Sequence, residues 1–373
     1  MRIALAGLAS LAVAMGVGRF AFTPILPMMQ QDAGLSVAGG GWLASANYLG
    51  YLVGALWAGA ARVNAAAAIR AGLACTGLAT LAMAFDGGFV YWSVLRAAAG
   101  VTSAWVLIHT SAWVLERIVP LGRPILAGVL FAGVGTGVAA AGLLCVLLMS
   151  LHASSSTAWF VLGVASLAIT AALWRVFVSA TGEEKQSRVP HRWTWEQARL
   201  VIAYGAYGFG YIIPATFLPV MARDVVSNPA VFGWAWPVFG AAAALSTLGV
   251  ALLSGRYANR TAWIGSHLVM AFGVAAPVFW PGIGGIVLAA LCVGGTFVVI
   301  TMVGLQEART IAGSQAPRLM ASMTAAFAAG QIIGPLSVSF VIGAGGGFSA
   351  ALLVACAALV AGALLLLRPR RGS

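Results

Sequence analysis

The chain has 373 residues, of which 61% are hydrophobic and 8% are charged, and its mean hydropathy is +0.99. A water-soluble domain of this size carries far more charge on its surface, so the composition excludes that class and predicts an integral membrane protein. The formal net charge of +12 comes largely from arginines between apolar stretches. We attribute this charge to membrane topology and expect no nucleic-acid partner.

Twelve apolar stretches follow one another, each with the length of about 20 residues that a bilayer requires. A spanning segment is a helix or part of a closed barrel, and no alternating barrel pattern occurs. We therefore predict an all-α integral membrane protein with twelve transmembrane helices. The basic residues between the stretches favour cytoplasmic N- and C-termini. The stretches cover approximately residues 4–29, 38–60, 64–85, 89–115, 124–149, 157–179, 195–222, 230–254, 260–280, 283–306, 317–343 and 346–367.

The first stretch contains Arg19, a permanent charge near the middle of the membrane. Such a residue normally faces a bundle interior or a water-filled cavity, and Thr23 lies on the same helical face. One interpretation is that Arg19 binds an anionic group of a substrate. The other is that it bonds carbonyl groups freed near Pro24, or Asn47 of helix two, and only shapes the fold. Because the apolar run continues past the small residues at 12–14, we expect no signal-peptide cleavage.

Helices two and four carry further candidates for a central cavity. Asn47 and Tyr51 share one face of helix two, and Arg96 and Ser103 share one face of helix four. His109 lies on a separate face of helix four, where it is either a packing histidine or a proton carrier. We predict that Asn47, Tyr51, Arg96 and Ser103 line the cavity.

A polar segment divides the chain into two similar halves. We predict an N-terminal six-helix bundle at residues 1–179, a cytoplasmic linker at 180–194 and a C-terminal six-helix bundle at 195–373. Two such pseudo-symmetric bundles are typical of transporters with a midplane substrate site, to which Tyr207, Tyr211 and Gln331 would contribute from the second half. Several residues recur in the same order about 190 positions later, Gly18 and Pro24 as Gly208 and Pro214, and Gly41-Trp42 as Gly233-Trp234.

The acidic residues bear on the substrate and on proton coupling. All eight lie in loops or near helix ends, so a cationic substrate would lack a counter-ion in the cavity. Two buried arginines instead favour an anionic or neutral substrate. The candidates for proton coupling are His109, Glu116 and Glu307. The four cysteines are isolated, and we expect neither a metal site nor a cofactor.

Two other functional classes fit the sequence less well. A membrane-embedded enzyme needs a convergent nucleophile, acid or metal site, but HExxH, GxSxG and paired intramembrane aspartates are absent. We therefore predict that the protein is not an enzyme. A sensor or scaffold needs a soluble effector domain, and the twelve stretches leave almost no residues for one.

Three stretches resemble the YbfB/YjiJ-like branch of the major facilitator superfamily. This resemblance implies a multi-pass transporter of the bacterial inner membrane that works by alternating access on a small-molecule substrate. It also implies a functional monomer in the lipid bilayer. The stretches are GVGRFAFTPILPMM at residues 16–29, GWLASANYLGYLVGAL at 41–56 and MASMTAAFAAGQIIGP at 320–335.

The resemblance also implies a cytoplasmic latch. Gly255, Asn259 and Arg260 are similar to the G-x-x-x-D/N-R motif of the superfamily, and Arg62 is retained in the equivalent loop of the first half. The direction of transport stays open between ion- or proton-coupled uptake of an organic anion or neutral metabolite and proton-antiport efflux of amphipathic compounds. Helix five lacks the proline of the GxxxGP motif of drug antiporters, which weakens the efflux alternative.

Overall fold

A computed structural model describes most of the chain, and the described residues form helices without any strand. Most of the predicted linker, together with Arg62 and Gly255 of the predicted latch, lies outside the described residues. The described ranges are 1–61, 63–177, 193–223, 229–253, 256–343 and 348–367.

The described residues fall into twelve successive helical segments, six before the linker and six after it. We call α1–α6 the N-terminal half and α7–α12 the C-terminal half. The segments are α1 (Arg2–Asp32), α2 (Val37–Ala60), α3 (Ala65–Ala82), α4 (Gly88–Ile118), α5 (Ile125–Ser150), α6 (Ser155–Leu173), α7 (Trp195–Arg223), α8 (Pro229–Leu253), α9 (Asn259–Phe279), α10 (Ile283–Ala312), α11 (Ala316–Gly343) and α12 (Phe348–Leu366).

Nine stretches of the described helices are long and apolar enough to cross a membrane. One of them, Ile283–Ser337, contains both α10 and most of α11. Helices α2 and α7 are not among the nine, and they carry several of the polar residues predicted to line the cavity. The segments are consistent with the twelve predicted spans.

Helix α1 is irregular where it carries Arg19. Its central part, Ala12–Phe20, is a π-helix between two α-helical parts. The backbone of this part packs directly on α5, because a β-carbon on Gly16 would lie 2.4 Å from Cα of Gly137. Single π-helical turns occur frequently at functional sites. This irregular part of α1 carries the candidate residue Arg19.

The two halves contact each other through α5 with α8 and through α2 with α11. Small residues permit the first of these contacts, as they do in many membrane proteins. A β-carbon on Gly240 of α8 would lie 2.3 Å from the backbone nitrogen of Ala139, and one on Gly142 of α5 would lie 2.9 Å from the nitrogen of Pro237. The α5–α8 contact therefore leaves no room for side chains at these positions.

A pair of glycine substitutions in α8 tests this contact. Alanine in place of glycine normally favours a helix by up to about 1 kcal/mol, whereas overpacking a tight contact costs about 1–3 kcal/mol. We expect Gly240→Ala to lower the thermal unfolding temperature of the purified protein. We expect Gly249→Ala to leave that temperature unchanged or raise it, because Gly249 faces open space. Equal unfolding temperatures for the two variants would contradict the close α5–α8 contact.

Candidate functional site

Arg19 is buried at the boundary between the two halves, with 3% of its surface exposed. Its Nη2 donates a hydrogen bond to Oε1 of Gln331 in α11. The guanidinium carbon lies 3.8 Å from the ring centroid of Tyr51 in α2, a cation–π contact. Arg19 forms no ion pair with any described residue. A full positive charge is therefore held by a neutral amide and an aromatic ring.

Hydrogen-bonding capacity remains unused around this bond. Within the described part of the chain, Nε and Nη1 of Arg19 have no hydrogen-bond partner, and neither does Nε2 of Gln331. A buried donor without an acceptor costs about 1–3 kcal/mol, and more when the group is charged. An anion that entered this space would supply acceptors to all three nitrogen atoms. Three buried donor nitrogen atoms thus lie together without acceptors among the described residues.

The second buried arginine, Arg96 of α4, has a different environment. Its Nη1 donates to the carbonyl of Gly18 and its Nη2 to the carbonyl of Arg19, each at 3.1 Å. Pro24 follows closely and has no N–H to donate to the preceding turn. The carbonyl bonding that the sequence suggested for Arg19 is thus made by Arg96. Its guanidinium fixes the backbone of α1.

Two other predicted cavity residues also hold this part of the fold. Asn47 Nδ2 donates to the backbone carbonyl of Arg96 at 2.9 Å. The sequence suggested Arg19 as the partner of Asn47, but the partner in the structure is Arg96. Ser103 donates to the carbonyl of Ala14 at 2.8 Å, within the π-helical part of α1. Both residues are fully buried. They stabilise the element that carries Arg19.

Aromatic residues surround the Arg19–Gln331 pair. The hydroxyl of Tyr207 donates to the carbonyl of Phe297 at 2.8 Å. The ring of Tyr211 stacks on that of Phe297, with centroids 4.5 Å apart and planes 15° apart. Thr23, in contrast, is exposed and does not share the buried surroundings of Arg19.

An enclosed cavity of about 10 Å³ lies among these residues, room for roughly one water molecule. Helices of both halves contribute to its wall, and none of the described residues that line it is charged. The two halves are therefore closed on each other around the centre. The cavity wall includes Tyr51, Tyr204, Phe297, Thr301 and Phe327.

Of these five wall residues, only Tyr51 belongs to the sequence-based site, and the two phenylalanines, Phe297 and Phe327, are among those it misses. Phe327 precedes Gln331 by four positions, so the two side chains lie on one face of the helix. This spacing from a predicted site residue would have indicated Phe327 from the sequence. Phe297 is one of many aromatic residues in apolar helices. No sequence signal separates it from ordinary core residues.

The three proton-coupling candidates lie in different environments. His109 is buried beside Trp105, and its Nε2 has no hydrogen-bond partner among the described residues. Glu116 is exposed and lies 3.6 Å from a nitrogen of Arg117. Glu307 is buried and lies 3.2 Å from Nε of Arg260. Of the three, His109 combines burial with an unpartnered titratable nitrogen.

The described part of the predicted latch forms a charge cluster at one end of the C-terminal half. Asn259 begins α9, and the next residue, Arg260, pairs with Glu196 of α7 as well as with Glu307 of α10. Arg199 of α7 lies 3.3 Å from Glu196 and donates to a carbonyl at the end of α12. The cluster therefore ties α7, α9, α10 and α12 together.

Comparison with known proteins agrees with this architecture. Residues 11–367 match the family described as "Uncharacterised MFS-type transporter YbfB". The chain belongs to this family of major facilitator transporters. The transporter is a multi-pass membrane protein and not an enzyme, as the sequence predicted. No curated protein matches it.

The fold of the transporter is also similar to a solved structure of the superfamily. The "Crystal structure of the human organic anion transporter MFSD10 (TETRAN)" matches with a TM-score of 0.75 and 13% sequence identity. The match covers 98% of each chain. The predicted all-α major facilitator fold is thereby confirmed.

The different environments of Arg19 and Arg96 predict different mutant phenotypes. Arg96→Gln removes two charge-assisted hydrogen bonds to α1, each worth about 1.5–3 kcal/mol. We expect a clearly lower thermal unfolding temperature and a reduced yield of monodisperse transporter. The matched control is Arg117→Gln on the same helix, since Arg117 is partly exposed and its contacts with Trp113 and Glu116 lie within its own helix. If Arg96→Gln unfolded at the wild-type temperature, its assigned structural role would be wrong.

Proposed function

We propose that the transporter is a secondary active transporter that works by alternating access and carries a small organic anion bound at Arg19. We place it in the bacterial inner membrane, with both termini in the cytoplasm, and we propose that it works as a monomer. The observation that supports an anionic substrate is the guanidinium of Arg19, which is buried between the two halves and bonds a neutral amide. It forms no ion pair with any described residue. MFSD10, whose fold is similar, is described as an organic anion transporter, which agrees with this choice.

The proposed mechanism is an exchange of partners on Arg19. A carboxylate accepts charge-assisted hydrogen bonds from a guanidinium, and these are roughly twice as strong as bonds between neutral groups. An entering anion therefore competes well with the neutral amide of Gln331. Because that amide belongs to the opposite half, its displacement removes a polar link between the halves. Substrate binding would in this way favour their separation.

We propose that protons drive the transport and that His109 carries them. The imidazole titrates near neutral pH when unperturbed, and the side chain lies within α4, where it is buried beside Trp105. Glu307 is less suited, because protonation would leave Arg260 with fewer counter-ions in a buried cluster. Glu116 is exposed at the end of α4.

Efflux of amphipathic compounds by proton antiport remains the second candidate. The observation that favours it is the aromatic wall of the cavity, which would suit a large apolar molecule. The two candidates differ in their need for Arg19. An anion requires the guanidinium, whereas an apolar or cationic compound does not.

Substitutions at Arg19 and Gln331 test the proposed function. The purified transporter is screened by thermal shift against small carboxylates, phosphate esters, amino acids and cationic dyes. We expect carboxylates to stabilise the wild type and Gln331→Ala, but to lose at least about tenfold in affinity for Arg19→Ala, because the charge-assisted bonds are lost. Arg19→Lys should retain only part of the affinity, since an ammonium cannot form the bidentate pair.

All four proteins must be monodisperse, which serves as the folding control. Stabilisation by cationic dyes alone, unchanged in Arg19→Ala, would contradict the anion site and favour efflux. Carboxylate binding that is equally strong in Arg19→Ala would also contradict it.

A further inference from the structure

Arg19, which contacts the cavity-lining rings of Tyr51 and Phe327, offers one positive charge to a ligand. Arg96 donates to two carbonyl groups of α1, so its positive charge is already solvated by the backbone. None of the described residues that line the cavity adds a further positive charge to that of Arg19. A divalent anion would therefore bring a second negative charge into an apolar space without a partner, which is costly. The charge balance favours a monovalent anion.

The hydroxyl groups of Thr301 in the wall and of Tyr207 beside it already take part in hydrogen bonds. The hydroxyl of Tyr207 bonds the carbonyl of Phe297, and Thr301 lies 3.4 Å from both of these oxygen atoms. The remaining wall is formed mostly by rings and aliphatic side chains. A substrate with many hydroxyl groups would leave them unsatisfied on binding. The wall favours an apolar body attached to the charged group.

The rings around Arg19 are arranged to receive another ring. Phe20, the neighbour of Arg19 in α1, contacts Phe297 of the opposite half edge-to-face, with centroids 5.5 Å apart. It also approaches Trp236 of α8 at 6.4 Å. Aromatic pairs at such distances gain energy beyond the area they bury. An aromatic contact between the halves thus lies directly beside the Arg19–Gln331 bond.

Together, these contacts define an acceptor position and a ring position that the two ends of one small molecule could occupy. Gln331 occupies an acceptor position on the guanidinium, and Phe20 occupies a ring position against Phe297. When the halves separate, both positions become free at the same time. We infer that the transporter binds an aromatic monocarboxylate, with its carboxylate on Arg19 and its ring against Phe297. This inference rests on the proposed anion site and specifies its substrate class.

A matched set of ligands tests the inference on the full-length purified transporter. Benzoate and indole-3-acetate are ring monocarboxylates, hexanoate is an aliphatic monocarboxylate, phthalate is a dianion and benzamide is a neutral isostere. We expect the ring monocarboxylates to bind about tenfold more tightly than hexanoate, as aromatic contacts of this kind allow. Phthalate and benzamide should bind at least about tenfold more weakly than benzoate. The second carboxylate of phthalate finds no cation in the site, and benzamide carries no negative charge to pair with Arg19.

Variants of the ring wall separate a specific contact from general packing. Phe297→Leu should reduce the preference for benzoate over hexanoate to about twofold or less, and Phe327→Leu provides a second variant in case the first does not fold. The control is Phe272→Leu, since Phe272 is 62% exposed on α9 and should leave the preference unchanged.

The possible failures are distinguishable. Equal binding of benzoate and hexanoate, with both lost in Arg19→Ala, would overturn the aromatic class but leave the anion site intact. Tighter binding of phthalate than benzoate would overturn the monovalent class. Failure of both ring monocarboxylates to bind would overturn the inference outright. Benzoate binding that survives Arg19→Ala would overturn the inference and the proposed function together.

Discussion

The closed arrangement depends on a buried cation that one half of the protein presents to the other. Arg19 lies in the apolar centre, where an uncompensated charge is costly, and the amide of Gln331 satisfies it only in part. A carboxylate in place of the Gln331 amide would have formed a buried ion pair between the halves, whereas the neutral amide leaves the guanidinium available to an anion. In the proposed mechanism, the weakness of this pairing allows an anion to compete for the site. The proposal therefore gives Arg19 a role in both closure and binding.

The rest of the N-terminal half holds Arg19 in place. Its helix departs from α-helical geometry at Ala12–Phe20, and side chains of α4 bond the carbonyl groups of this part. Arg96 and Arg19 thus differ in how their donors are used. Arg96 uses both Nη atoms on the backbone, whereas Arg19 keeps Nη1 as well as Nε without a hydrogen-bond partner among the described residues. In the C-terminal half, the charge cluster around Arg260 joins four helices at one end.

Much of this structure was predictable from the sequence, because a bilayer restricts spanning segments to apolar helices. The fold class and the burial of Arg19 followed from composition and from the position of the charge. The partners of the polar residues did not. The bonds from Arg96 to the carbonyl groups of α1 depend on the π-helical part of that helix. No residue pattern in the sequence predicts this part. The pairing of Glu307 with Arg260 depends on how α9 and α10 pack, and Phe297 joins the candidate site through tertiary contacts with Phe20 and Tyr211.

A structure of the transporter bound to the carboxylate that stabilises it most would test the central claim directly. We predict a carboxylate oxygen within hydrogen-bond distance of the Arg19 guanidinium, with Oε1 of Gln331 no longer bonded to it. We also predict that the two bonds from Arg96 to α1 persist in that complex. A carboxylate bound elsewhere, with the Arg19–Gln331 bond intact, would contradict the exchange of partners and leave Arg19 a purely structural link between the halves.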